Sequence, residues 1–199
     1  MYGVSAEGDD TGKMLWKTTA WNPPIAVSSP VYLGNDELIV FGSYGAGGAR
    51  VRINKDESGY KAVVSEQHKA SEGIASEQQT PILKGDNLWT VLPENAGALK
   101  KQLVCYHKSN LITPVWSSGK ENRFGKGMGP FIMSGNKLYL LDDDGKLYLF
   151  RIENNKAILV SSHKVLDAIE AWSPMAIAGK YLIMRDAHNM LCLNIGEKD

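Results

Sequence analysis

The chain has 199 residues, enough for one large domain with a core, and Lys plus Arg equals Asp plus Glu at 22 each. A formal net charge of zero argues against a nucleic-acid or anionic-membrane footprint, both of which need a basic excess. No apolar run is long enough to cross a bilayer, and Met1-Tyr2-Gly3-Val4-Ser5 does not read as a secretory signal, so export would need a signal removed or lying upstream.

Taken in order, the chain repeats itself. Met1 to Ala6 and Lys13 to Thr18 read as two strands. Then four segments each place Pro ahead of apolar residues: Ser29-Pro30-Val31-Tyr32, Thr80-Pro81-Ile82-Leu83, Gly129-Pro130-Phe131-Ile132 and Ser173-Pro174-Met175-Ala176. After a Gly-containing turn comes a second strand in each: Leu38 to Phe41, Leu88 to Val91, Leu138 to Leu141 and Tyr181 to Met184. A third follows: Val51 to Ile53, Leu103 to Tyr106, Leu147 to Phe150 and Met190 to Leu193. Tyr60 to Val64, Pro114 to Ser117 and Ala157 to Ser161 supply a fourth strand to the first three units, and the last unit stops after its third. The last two repeats align without a gap from Asn136/Gly179 to Phe150/Leu193. Gly127 to Arg151 is the most regular of these stretches.

Four strands per repeat with prolines at 30, 81, 130 and 174 predict an all-β fold, a β-propeller of four-stranded antiparallel blades. Many strands are apolar on both faces, as sheets sandwiched between sheets require. A β-sandwich would not predict the recurrence of Pro. The expected blades cover 28–65, 79–118, 128–162 and an incomplete 172–196, with 1–20 giving strands of a preceding blade.

The piece Ala6-Glu7-Gly8-Asp9-Asp10-Thr11-Gly12-Lys13-Met14-Leu15-Trp16 resembles the docking motif of PQQ-like (quinoprotein-type) propellers, matching at Ala6, Thr11, Gly12 and Trp16, with Gly8 where Asp is usual. A second copy, Cys105 to Trp116, keeps Trp116 but has Asn110-Leu111 for Thr-Gly and one extra residue; a third, near Asn154 to Val160, has lost the Trp. The resemblance implies stacked blades, usually seven or eight, and a place outside the cytoplasm, periplasmic or extracellular. It embraces quinoprotein dehydrogenases and cofactor-free members such as the lipoprotein of the outer-membrane-protein assembly machine.

At roughly 40–50 residues per blade the chain makes about four blades. Three arrangements answer to that: part of a longer propeller, two copies building one ring, or a ring closed by the N-terminal fourth strand completing the last blade. The leftover strand Met1 to Ala6 favours a partial or half propeller with unpaired edges, open to a protein partner or a second copy.

Propeller topology sends the long connections to one face: Trp21 to Ser29, Gly42 to Gly48, Gln67 to Gln79, Pro93 to Lys100, Gly119 to Gly129 and Val165 to Ser173. Long loops on a rigid scaffold are where binding is concentrated. The candidate binding residues there are Trp21, Tyr44, Glu77, Gln78, Glu94, Asn95, Arg123, Lys126, Trp172, Arg185 and His188, against the blander reading of solvated or wedge-filling loop residues.

Other signals resolve toward structure. Asp142-Asp143-Asp144-Gly145 lacks calcium-loop spacing and reads as a hairpin turn. Gly42 to Gly48 is followed by no helix and reads as a flexible hairpin loop rather than a phosphate cradle. Cys105 and Cys192 align with Leu149, Ile53 and Ala6 as core thiols, two repeats apart and too distant for a disulfide. His68, His107, His163 and His188 stand singly, without metal spacing. With no catalytic constellation and no metal site, the expectation is a cofactor-free binding or scaffold module. The alternative, part of a quinoprotein oxidoreductase holding PQQ and Ca²⁺, would by its family resemblance need an acidic base, a calcium-ligand set and often adjacent cysteines; this sequence has no adjacent cysteines, and such a site would have to lie in another part of the propeller.

Overall fold

A computed structural model describes residues 1–168 and 170–196. Gly, Asn and Asp break the apolar runs, so most strands are short. A two-stranded antiparallel sheet, β1 (Tyr2–Val4) and β2 (Met14–Lys17), comes first. Three four-stranded antiparallel meanders follow: β3 (Val31–Gly34), β4 (Glu37–Gly42), β5 (Gly47–Asp56) and β6 (Gly59–His68); β7 (Ile82–Lys84), β8 (Asn87–Val91), β9 (Leu103–His107) and β10 (Trp116–Ser117); β11 (Phe131–Ser134), β12 (Lys137–Leu141), β13 (Lys146–Glu153) and β14 (Lys156–Lys164). A three-stranded sheet, β15 (Ala176–Ala178), β16 (Tyr181–Arg185) and β17 (Met190–Asn194), ends the series. Each sheet lies in chain order, so the fold is the all-β propeller that the repeat predicts. The outer strands β6 and β14 run beyond the ends expected from sequence, to His68 and Lys164.

The packing is read directly from the alternation of side chains. Successive strand residues point to opposite faces, and here both faces are buried. On β9, Val104 and Tyr106 join Ile39, Phe41 and Leu88 in a first wedge, while Leu103 and Cys105 join Trp89, Phe131, Leu138 and Leu140 in a second. On β12, Tyr139 and Leu141 turn the other way, into a third wedge with Leu182 and Met184. Three apolar wedges thus hold four sheets together, each fully buried aliphatic side chain contributing about 1.5–3 kcal/mol.

Four expectations need correction. The gapless alignment of the last two repeats fails: Leu138 pairs with Phe150 and Leu182 with Leu193, so Asp186, not Arg185, is the counterpart of Asp142, and the last hairpin is one residue shorter. In the first blade the slot opposite Ile39, matching Cys105 opposite Trp89, is filled by Arg50 and not Ile53. Arg50 spans the first two sheets, bonding Glu37, Glu66 and the Lys108 carbonyl at 3.1, 3.2 and 2.6 Å. Cys192 is exposed, because the last sheet has no described neighbour on that face, whereas Cys105 is fully buried and its thiol is pushed up to about 12 by burial. The 42–48 hairpin is packed rather than free: a Cβ on Gly42 would lie 2.5 Å from Pro23, and one on Gly48 3.2 Å from His68.

β2 pairs with β1 and not with β17, so strand insertion does not close the last sheet. The docking piece folds as a compact turn, with Thr11 donating to the Gly8 carbonyl at 2.6 Å and Gly12 at φ 83°, while Ala6 is exposed beside it. Trp16 lies across Gly3, where any Cβ would meet its indole at 2.3 Å. In the second copy Leu111, standing where Gly is usual, is fully buried in the first wedge, and Trp116 packs on Trp89 at 5.9 Å.

Candidate functional site

The connections preceding the innermost strands converge on one funnel. Val27 and Ser29 from the first blade, Gln78, Gln79 and Thr80 from the second, Phe131 from the third, and Trp172 and Pro174 from the fourth line a cavity of about 410 Å³. The prolines that open the repeats suit this position, since they remove a backbone donor before the strand begins. Ser29 N–H donates to Thr80 Oγ1 at 2.9 Å, and Gln79 Nε2 bridges to the carbonyls of Met128 and Trp172 at 3.3 and 2.7 Å. One glutamine amide therefore ties three blades at the axis. The lining contains an indole, amides and hydroxyls, and no charged side chain.

Beside the funnel, three of the sequence candidates meet. Glu77 is buried, and its carboxylate accepts the Tyr44 N–H at 3.1 and 3.0 Å and an Asn95 side-chain N–H at 3.2 Å. Its own carbonyl accepts from Ser43 at 2.7 Å. Tyr44 has φ 56°, a backbone state that such a clamp holds in place, and its ring is exposed. Glu77 thus joins the loops 42–48 and 93–100 and leaves the Tyr44 ring facing solvent.

The fourth blade's loop is clamped by a residue that sequence reasoning passed over. Asp142 behaves as the hairpin reading expects, accepting the N–H groups of Asp144 and Lys146 at 3.1 and 2.9 Å. Asp143, however, is buried and reaches the Gly125–Met128 loop, accepting from Lys126 N–H. A Cβ on Gly125 would sit 2.1 Å from its carboxylate. Among the described residues, its other oxygen and the neighbouring Trp172 indole N–H each lack a partner in good hydrogen-bond geometry. Burial raises the Asp143 carboxyl above its ordinary 3.8; the Lys126, Trp172 and Met128 N–H groups offset part of that, and the charge of Asp142 adds to the rise. A carboxyl raised on folding favours the folded state while protonated, and that contribution fades as pH rises through the folded value. The Tm difference between Asp143→Asn and the unmodified chain should therefore shift in the variant's favour as pH rises from below 4 to 7; a difference independent of pH in parallel thermal melts would refute the assignment. The signal available in sequence was the run of three Asp itself, but which acid clasps the neighbouring loop depends on the bend of the hairpin.

The other candidates are scattered. Trp21 lines a smaller cavity with Ala46 and His68, and His68 donates Nε2–H to the Ile74 carbonyl at 2.7 Å. Glu94 is exposed between Lys100 and Lys101, which hold its carboxyl down to about 2. Arg123 is exposed, its backbone bridged to Gln102. Arg185 and His188 stay on their own hairpin, tied to Asp186: Arg185 donates to its carbonyl, and its carboxylate accepts from His188 N–H at 2.7 Å. No group of His, Cys, Asp and Glu suited to a metal ion occurs among the described residues.

No family model and no curated protein matches the chain. Among solved structures, the computationally designed protein Ika4 superposes with a TM-score of 0.56 at 9% identity, over 94% of this chain and 100% of that one. A 6-phosphogluconolactonase-like protein from Bacteroides uniformis gives 0.59 at 12% identity, over 98% of this chain and 65% of that one. BamB from Moraxella catarrhalis gives 0.49 at 11% identity, over 96% and 65%, too slight a likeness to bear on role. The chain spans the whole of the first and less than two thirds of the other two. At such identities the likeness speaks for the fold, a β-propeller, and for nothing finer.

Proposed function

We propose that this chain is a cofactor-free binding module that seats an uncharged, hydrogen-bonding group in its axial funnel, either a neutral small ligand or the tip of a partner protein's loop. The observation that carries this reading is the composition of the lining: Trp172 offers an aromatic face, and Gln78, Ser29 and Thr80 offer amide and hydroxyl groups, with no cation or carboxylate among the residues lining the cavity. A site of this kind is an apolar concavity with a few placed polar groups. The name of the Bacteroides uniformis neighbour suggests a phosphorylated sugar lactone, but such an anion calls for Arg, Lys or an array of N–H donors. The funnel's lining lacks both cations. Nor does it offer the carboxylates that a quinone with Ca²⁺ would need. The resemblance to PQQ-like propellers supports a place outside the cytoplasm and a role in holding partners. No helix among the described residues is long and apolar enough to span a membrane. The exposed Tyr181 and Met190 of the last sheet, beside Cys192, support a second copy or a further propeller segment as a neighbour on that face.

The test compares affinity capture from the native source by the unmodified chain and by a Trp172→Ala, Gln78→Ala double variant of equal thermal stability. Selective loss of one bound component in the variant is expected; identical capture by both would count against the funnel. In parallel, PQQ with Ca²⁺ should leave the Tm unmoved, and a clear rise would favour the quinoprotein alternative.

A further inference from the structure

A second recognition surface lies on the circumference, between the outer ends of the second and third blades. β10 contains only Trp116 and Ser117, whereas β13 and β14 run the full height of their sheet. The mismatch leaves a groove of about 220 Å³ with an aromatic floor. Phe124 stands edge-on to Tyr148 and Phe150, at 5.0 and 5.8 Å, and Trp116 walls the opposite side. One lip of the groove is β14, with Ala157 and Leu159 lining it. Among the described residues β14 pairs with β13 alone, so its outer edge presents backbone groups to solvent. It carries the exposed run Ile158-Leu159-Val160, and the register with β13 slips where Leu149 gives way to Phe150. Natural sheets protect such edges with charge, Pro or cover, and here the centre of the edge is apolar.

The charges decide the occupant. β14 bears Lys156, His163 and Lys164 and no carboxylate, while Arg151 and Glu153 on β13 pair with one another. A second copy pairing antiparallel over the whole strand would set Lys156 against Lys164 of its partner at both ends, and like charges directly opposed destabilise a sheet. An extended segment with acidic ends and alternating apolar residues suits the edge instead: its backbone would complete the sheet, and one side chain would enter the aromatic groove. We propose that the β14 edge and its adjoining groove bind such an acidic-ended peptide of a partner protein by strand addition, separately from the axial funnel.

The probe is the fluorescein-labelled synthetic peptide Glu-Val-Thr-Phe-Thr-Val-Glu, followed by fluorescence anisotropy against the full chain. Saturable binding is expected, weakened about tenfold or more by Leu159→Lys, which puts charge in the groove's lip. Lys156→Glu with Lys164→Glu should reverse the preference, toward the same peptide ended with Lys. Methylating alternate backbone nitrogens of the peptide should abolish binding, and this arm, like the exchange of peptide ends, needs no protein variant. Absence of saturable binding, or equal binding of the methylated peptide, overturns strand addition. If light scattering shows a dimer that Leu159→Lys dissociates, the edge is a self-interface and the proposal is wrong.

Discussion

Trp89→Ala should lower the unfolding free energy by about 3–5 kcal/mol, the usual range for removing a large buried aromatic. Trp89 is 1% exposed, on the central strand β8, and faces the second wedge. Its ring packs against Trp116 across the same sheet and against the side chains of the third blade, so the cavity left behind would open the joint between two blades and not only the interior of one. Neighbouring β strands cannot collapse into that space without breaking their ladder, which favours the upper part of the range. Urea unfolding measures the loss. Trp116→Ala should cost less, because Trp116 is half-buried at the mouth of the circumferential groove. A Trp89→Ala protein as stable as the unmodified chain would mean that the second and third sheets do not bury against one another.

Gly47→Ala is the second large effect. Gly47 has φ 77°, and a Cβ there would lie 2.0 Å from the His68 carbonyl oxygen, with backbone atoms of Lys69 and Ala70 close behind. The strained backbone and the overpacking should each cost about 1–3 kcal/mol. Relief by movement is blocked, because His68 is held through Nε2 to Ile74 and β5 is paired on both sides. Gly85→Ala separates the two contributions. Gly85 has φ 59°, but an added methyl there would meet nothing within 4 Å, so only the conformational penalty of about 1–2 kcal/mol applies. Equal midpoints for the two variants would show that the close approach at Gly47 does not constrain the fold.

Much of the architecture is legible in the letters. Leu88, Trp89, Val91 and Leu103 to Tyr106 are apolar at successive positions, which only a sheet covered on both faces can use, and the structure divides them between two wedges. Asn154 and Asn155 both take positive φ, at 49° and 60°, as a tight hairpin between β13 and β14 requires. The candidate site was partly legible. Tyr44, Glu77 and Asn95 do meet, and Gln78 and Trp172 do share a cavity, because topology alone sends the loops that carry them to one face. Gln79 and Asp143 were passed over, since a neutral amide and one acid in a run of three look the same in sequence whether they face solvent or clasp a neighbouring loop.

What is local or periodic follows from the letters alone: the strands, their turns, the repeat, and therefore the stacking of sheets. Side-chain alternation and turn chemistry act within a few residues, so the letters carry them. Whatever depends on which sheet stands beside which emerges only on packing. Cys105 and Cys192 occupy equivalent slots, and one is sealed while the other is bare because only the first has a described sheet over it. β10 is short beside the long β14, and a groove opens between them. The funnel has no charge because four separate loops each bring a neutral side chain to the axis. These are relations between segments tens of residues apart, and the burial, hydrogen bonding and shape that follow from them arise only when the blades pack.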